Sequence, residues 1–164
     1  FLERIGAGLQ MTPAQTGLVF SVLKLLGGVA AFSVAAFGDR LKPLTAAAGV
    51  FLGIASGLFL LGTAEGFNSF ALGAWMWEFA FTCGCVVQAA NIARSDPSGR
   101  AVLWVPAAFA LASMLGPGVA GHLIGAADPL QGQGVWKPAL WLAGAGSLVF
   151  VLGSWVPAAR RFTR

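Results

Sequence analysis

Five runs of mostly apolar residues, each long enough to cross a lipid bilayer, follow one another with only short polar breaks. They extend from about Pro13 to Phe37, Leu44 to Thr63, Ser69 to Ala90, Ala101 to Ile124 and Pro138 to Val156. A spanning helix needs roughly 20 such residues. The chain is therefore expected to be an all-α polytopic membrane protein, with one transmembrane domain over residues 1–164. Charge supports this reading. Only 10% of the residues are charged, against about 25% in soluble domains, too few to cover a water-facing surface. Thirteen Phe and six Trp suit a lipid-facing exterior, and 23 Gly suit close helix contacts. Residues 1–8, FLERIGAG, read as the tail of a sixth helix; with no initiator Met, the chain is expected to be a fragment.

Helix starts are marked chemically. Thr12-Pro13-Ala14-Gln15 has the capping-box spacing with Pro at the first helical position. Pro43 and Pro138 open the second and fifth runs in the same way, and Asp96-Pro97-Ser98-Gly99 is turn chemistry between the third and fourth. The connections are short, so neighbouring spans should be antiparallel. The basic residues then sort by alternate loops. Arg40, Lys42, Arg94, Arg100, Arg160, Arg161 and Arg164 fall on one side, and only Arg4 and Lys137 on the other. The positive-inside rule places the loops at 38–43 and 91–100 and the C-terminus in the cytoplasm.

Small residues recur at helical spacing. On the first span Gly17, Ser21, Lys24, Gly28, Ala31 and Ala35 share one face, and on the second Gly49, Gly53 and Gly57 form a doubled small-xxx-small pattern. Both are expected to bring helices close together. Pro117, beside Gly116 in the fourth span, removes a backbone donor and frees the carbonyl of Ser113. A kink is expected there, serving as a flexible gate or only permitting tight packing.

Two ionisable residues sit deep in spans, Lys24 and Glu78. An unpaired charge at the bilayer centre costs at least ~2.5 kcal/mol, so such residues are functional candidates by default. Lys24 is about half-way along the first span and Glu78 about nine residues into the third, at similar depth, which allows an ion pair across the bundle. The face of Glu78 carries Ala71, Ala74, Thr82, Cys85 and Gln88, flanked by Trp75 and Trp77, and reads as the lining of a cavity. Glu78, Lys24 and Gln88 are the candidates for substrate binding or proton coupling. A neighbouring cation favours a carboxylate and burial favours the neutral acid, so moving the partner would couple a proton to a conformational change. The alternative is a structural pair, or a Lys that snorkels outward. His122, Cys83 and Cys85 read as interfacial or packing residues. One His and two Cys leave no zinc cluster or disulfide framework, and no cofactor, metal or nucleic-acid partner is expected.

The first basic loop reads Ala35-Ala36-Phe37-Gly38-Asp39-Arg40-Leu41-Lys42-Pro43. It resembles a degenerate copy of the loop signature of the major facilitator superfamily. Asp39 and Arg40 match, while Ala35, Lys42 and Pro43 replace two Gly and a basic residue. Phe1 to Gly6 with Met11 to Gly17 is similar to the junction of the seventh and eighth helices in bacterial efflux-type members. Asp96 to Arg100, then Gly116-Pro117 and Ala120-Gly121, resembles the start and body of the eleventh. The resemblance covers nearly the whole chain and implies helices eight to twelve of a twelve-helix transporter; the second register is helices two to six. It implies that Asp39 and Arg40 belong to a conformational gate on the cytoplasmic side, and that the third span borders the central cavity.

The expected function is thus secondary active transport of small organic solutes across a bacterial inner membrane, coupled to protons by symport or antiport through alternating access. The expected partners are the solute, protons, the bilayer and a missing other half of the chain. The alternatives are a non-transporting scaffold or receptor of the same fold, or an intramembrane enzyme. The last is disfavoured by a lone His near a membrane face.

Overall fold

A computed structural model of the chain describes residues 2–96 and 98–125, and all regular structure among them is helical. The elements are α1 (Leu2–Gly8), α2 (Pro13–Phe37), a 3₁₀ turn (Gly38–Arg40), α3 (Pro43–Gly62), α4 (Phe67–Ser95) and α5 (Arg100–Gly125). Helices α2, α3 and α4 are long and apolar enough to cross a membrane. The fourth run folds as α5, and among the described residues three helices are long and apolar enough to span. The fifth run, 138–156, with Lys137 and the arginines of the C-terminus, lies outside the described residues.

Sequence chemistry accounts for the boundaries. The Thr12 hydroxyl accepts from Gln15 N at 3.3 Å while Thr12 N donates to Gln15 Oε1 at 2.9 Å, which is the capping box. Pro43 opens α3 without a side-chain cap. Helix α4 outruns the apolar run and continues to Ser95, because nothing in Asn91 to Arg94 breaks a helix. It stops at Asp96, whose extended backbone (φ −123°, ψ 93°) is the conformation forced on a residue before proline. Asp96 then starts α5. Its carboxylate accepts from Ser98 N at 2.9 Å, from the Ser98 hydroxyl and from Ala101 N at 2.7 Å. Gly99 between them has φ +72°, a left-handed turn position that favours glycine. The Ser98 hydroxyl first, and the Ala101 amide second, hold the Asp96 carboxyl below the usual carboxylate range.

Helix α4 is the centre of the bundle. It packs along both α3 and α2, while α2 and α3 make almost no contact with each other, and α5 touches α4 only lightly. The pairing sets the directions. Val19, Ala30 and Lys24 of α2 meet Trp75, Cys83 and Glu78 of α4 in parallel order. Gly53 and Gly57 of α3 meet Ala80 and Trp77 in antiparallel order. Arg40, Lys42, Arg94 and Arg100 therefore gather at one end of the bundle.

The α3–α4 contact is backbone on backbone. A Cβ at Gly57 would stand 2.7 Å from Trp77 N and 2.9 Å from Gly73 O, and one at Gly73 would stand 2.9 Å from Leu61 N. Only glycine allows this approach, and dispersion across it takes the place of the hydrophobic drive that lipid removes. At the end away from the arginines, Ile5, Val19, Leu23, Leu61, Ala64, Phe70, Ala71 and Ala74 form the buried core, on which α1 docks through Ile5. Many of the largest apolar side chains, Leu25, Phe32, Leu103 and Trp104 among them, face outward. That arrangement suits a lipid solvent.

Two expectations require correction. The small-residue face of α2 does not make its helix contact: Gly17, Ser21, Lys24, Gly28 and Ala35 are exposed, and nothing among the described residues comes within 4 Å of a Cβ built at Gly17 or Gly28. The packed face is Val19, Leu23, Gly27 and Ala30. On α3, Gly53 and Gly57 do pack closely, whereas a Cβ at Gly49 would meet open space.

Candidate functional site

Lys24 and Glu78 are each near the middle of an apolar helix, and the parallel run of α2 beside α4 brings them to one depth. Lys24 Nζ lies 3.7 Å from Glu78 Oε1. The ion pair that their depth allows is formed, but it is asymmetric. The Glu78 side chain is 13% exposed and that of Lys24 is 77% exposed. The carboxylate is seated inside the α2–α4 seam, and the ammonium lies on its rim.

Gly27 makes the seat. A Cβ there would fall 3.2 Å from Glu78 Oε1 and 3.6 Å from Thr82 Oγ1, so the bare backbone of α2 floors a small polar recess walled by Lys24 and Thr82. Two weaker contacts fix the seam above and below. Trp75 Nε1 donates to the carbonyl of Val19 at 3.2 Å, and the Cys83 thiol donates to the carbonyl of Ala30 at 3.9 Å. At an effective dielectric of about 20, opposite charges at this separation attract by about 4 kcal/mol. A long, exposed lysine can leave this position without disturbing the packing. A carboxylate left behind in a water-poor seam would be a buried charge without its partner, which is costly.

Other candidates lie elsewhere. Gln88 is exposed about 15 Å further along α4 by the helix rise, outside the pair. Ala71 and Ala74, read as cavity lining, are buried in the core; of that face Thr82 borders the carboxylate recess. Trp77 stacks on Phe81 with ring centroids 5.5 Å apart. Asp39 and Arg40 form the 3₁₀ turn between α2 and α3, where the Arg40 guanidinium stands 5.9 Å from the Phe37 ring centroid. Helix α5 runs as one helix through Gly116 and Pro117, and a Cβ at Gly116 would meet open space. His122 is exposed in its last turn.

Sequence reasoning missed Gly27. Its signal was present, a glycine one turn after a buried-depth lysine, but the adjacent Gly28 fits the small-residue stripe and drew attention to the wrong face. The chain matches no protein-family model, no curated protein and no solved structure.

Proposed function

We propose that this chain forms part of a secondary active transporter of the major facilitator kind, moving small organic solutes across a bacterial inner membrane in exchange or in company with protons. The observation that carries the reading is the Lys24–Glu78 pair at mid-depth, with its carboxylate enclosed and its ammonium on the rim. An intramembrane pair of this kind is costly to keep and serves ion or proton pathways by default. In the alternating-access scheme, Lys24 leaves as the bundle rocks and Glu78 takes a proton on one side and returns it on the other. Five spans from a half-bundle, a cytoplasmic C-terminus, and Asp39 and Arg40 as the cytoplasmic gate complete the proposal.

The test is flux in proteoliposomes under an imposed pH gradient, using a fluorescent organic dye and a proton-sensitive probe. Gradient-driven flux lost in Glu78→Gln, with solute binding retained, is the expected result. Flux unchanged in that variant, or absent in the wild type, would point to a scaffold or receptor built on the same helices.

A further inference from the structure

Because α2 and α3 both rest on α4 and make almost no contact with each other, a groove of about 690 Å³ opens between them. It is lined by Leu26, Val34 and Phe37 of α2, Val50 of α3, and Met76 and Phe79 of α4, among others. Donors in its walls are turned inward: Ser33 bonds the carbonyl of Val29, Cys83 that of Ala30 and Trp75 that of Val19. The surface left is hydrocarbon. The groove runs from Leu26 to Phe37 on α2, about 16 Å, and from Leu72 to Val87 on α4, about 22 Å at 1.5 Å per residue. That is more than one leaflet and less than the whole of a roughly 30 Å hydrocarbon core. On α2 it ends where Leu23 and Val19 are buried in the core. A spanning helix would need a groove along the full bundle; an acyl chain needs only part of it.

The mouth is net cationic, with Arg40 and Lys42 against Asp39. Leu41 and Phe37 are wall residues at the open end. Arg40 stands over the Phe37 ring, and Lys42 follows Leu41, both exposed. We infer that the groove binds one acyl chain of an anionic phospholipid, whose headgroup phosphate lies between Arg40 and Lys42. Apolar walls that stop short of the full bundle and are capped by two cations match the chemistry of that amphiphile. The inference rests on the groove and is independent of the transport reading.

Native mass spectrometry of the purified protein, offered equal amounts of phosphatidylglycerol and phosphatidylcholine in mixed micelles, tests it. The wild type is expected to keep one phosphatidylglycerol. Arg40→Ala with Lys42→Ala should lower the preference for that lipid by about tenfold. Gly49→Phe, at a wall position where a Cβ meets nothing within 4 Å, should fill the groove and lose both lipids. Equal retention of the two lipids by the wild type, or unchanged retention in Gly49→Phe, overturns the inference. So does a change in the mass of the protein assembly in Gly49→Phe, which would place a helix of another copy in the groove. The charge variant lies in an exposed turn, so its result stands even where the groove-filling variant folds poorly.

Discussion

Against α3, helix α4 presents Gly73, Trp77, Ala80 and Gly84; against α2 it presents Trp75, Glu78, Thr82 and Cys83. The first contact is glycine against backbone, with many short contacts and no charge. The second adds an ion pair and two donor contacts to helix carbonyls to the packing of Val19, Leu23 and Ala30. In lipid, the first depends on shape and is lost as soon as the helices slide or separate. The second combines apolar packing with a few polar groups that can change partners. One helix thus has a purely steric side and a side that also carries polar contacts, and on the transport reading proposed above an element that shifts is better placed on the second.

The largest expected effect tests the fixed side. Gly57→Leu drives a side chain into Trp77 N and Gly73 O and should cost about 3 kcal/mol in detergent unfolding. Gly49→Leu on the same helix, facing open space, should stay within about 0.5 kcal/mol. Equal losses would break the contrast. Next comes a double-mutant cycle of Lys24→Met and Glu78→Gln, where a coupling of about 1–2 kcal/mol is expected. No coupling would reduce the α2 side to packing alone. Trp75→Phe removes the bond to Val19 O and should cost about 0.6 kcal/mol, the mean for interhelical hydrogen bonds in membranes. The smallest effect is local, at the α4–α5 turn. The Asp96 carboxyl is lowered on folding, so its stabilisation is present above the usual carboxylate range and is lost as pH falls through the folded value. Hydrogen exchange should show the Ala101 amide losing protection on acidification while the α3–α4 seam keeps its own.

Where the chemistry is local, it was legible. Thr12 and Gln15 announce the start of α2, Pro43 that of α3, and Asp96 with Gly99 the turn into α5. The Lys24–Glu78 pair was legible in part: their similar depth allowed it, while a lysine snorkelling outward stayed open, and the exposed Lys24 beside an enclosed Glu78 has something of both. Which small residues pack was not legible. A small side chain permits approach but does not name the helix that arrives, and α2 carries glycine or alanine on more than one face. Gly27 contacts α4 while its neighbour Gly28 meets nothing. The groove was hidden for a related reason: it is created by the near-absence of contact between α2 and α3, and no residue pattern encodes a missing contact. Hydrophobicity also ended α4 early, since helix propensity carries it past the apolar run.

The parallel placement of α2 and α4 has a consequence for biogenesis. Fifty-four residues separate Lys24 from Glu78, so at about 5–20 residues per second the lysine emerges roughly 3–11 s before its counter-ion exists. During that interval α2 must be held by the insertion machinery or keep its ammonium at an interface. Glu78 is thus the later half of a pair that α2 cannot complete on its own.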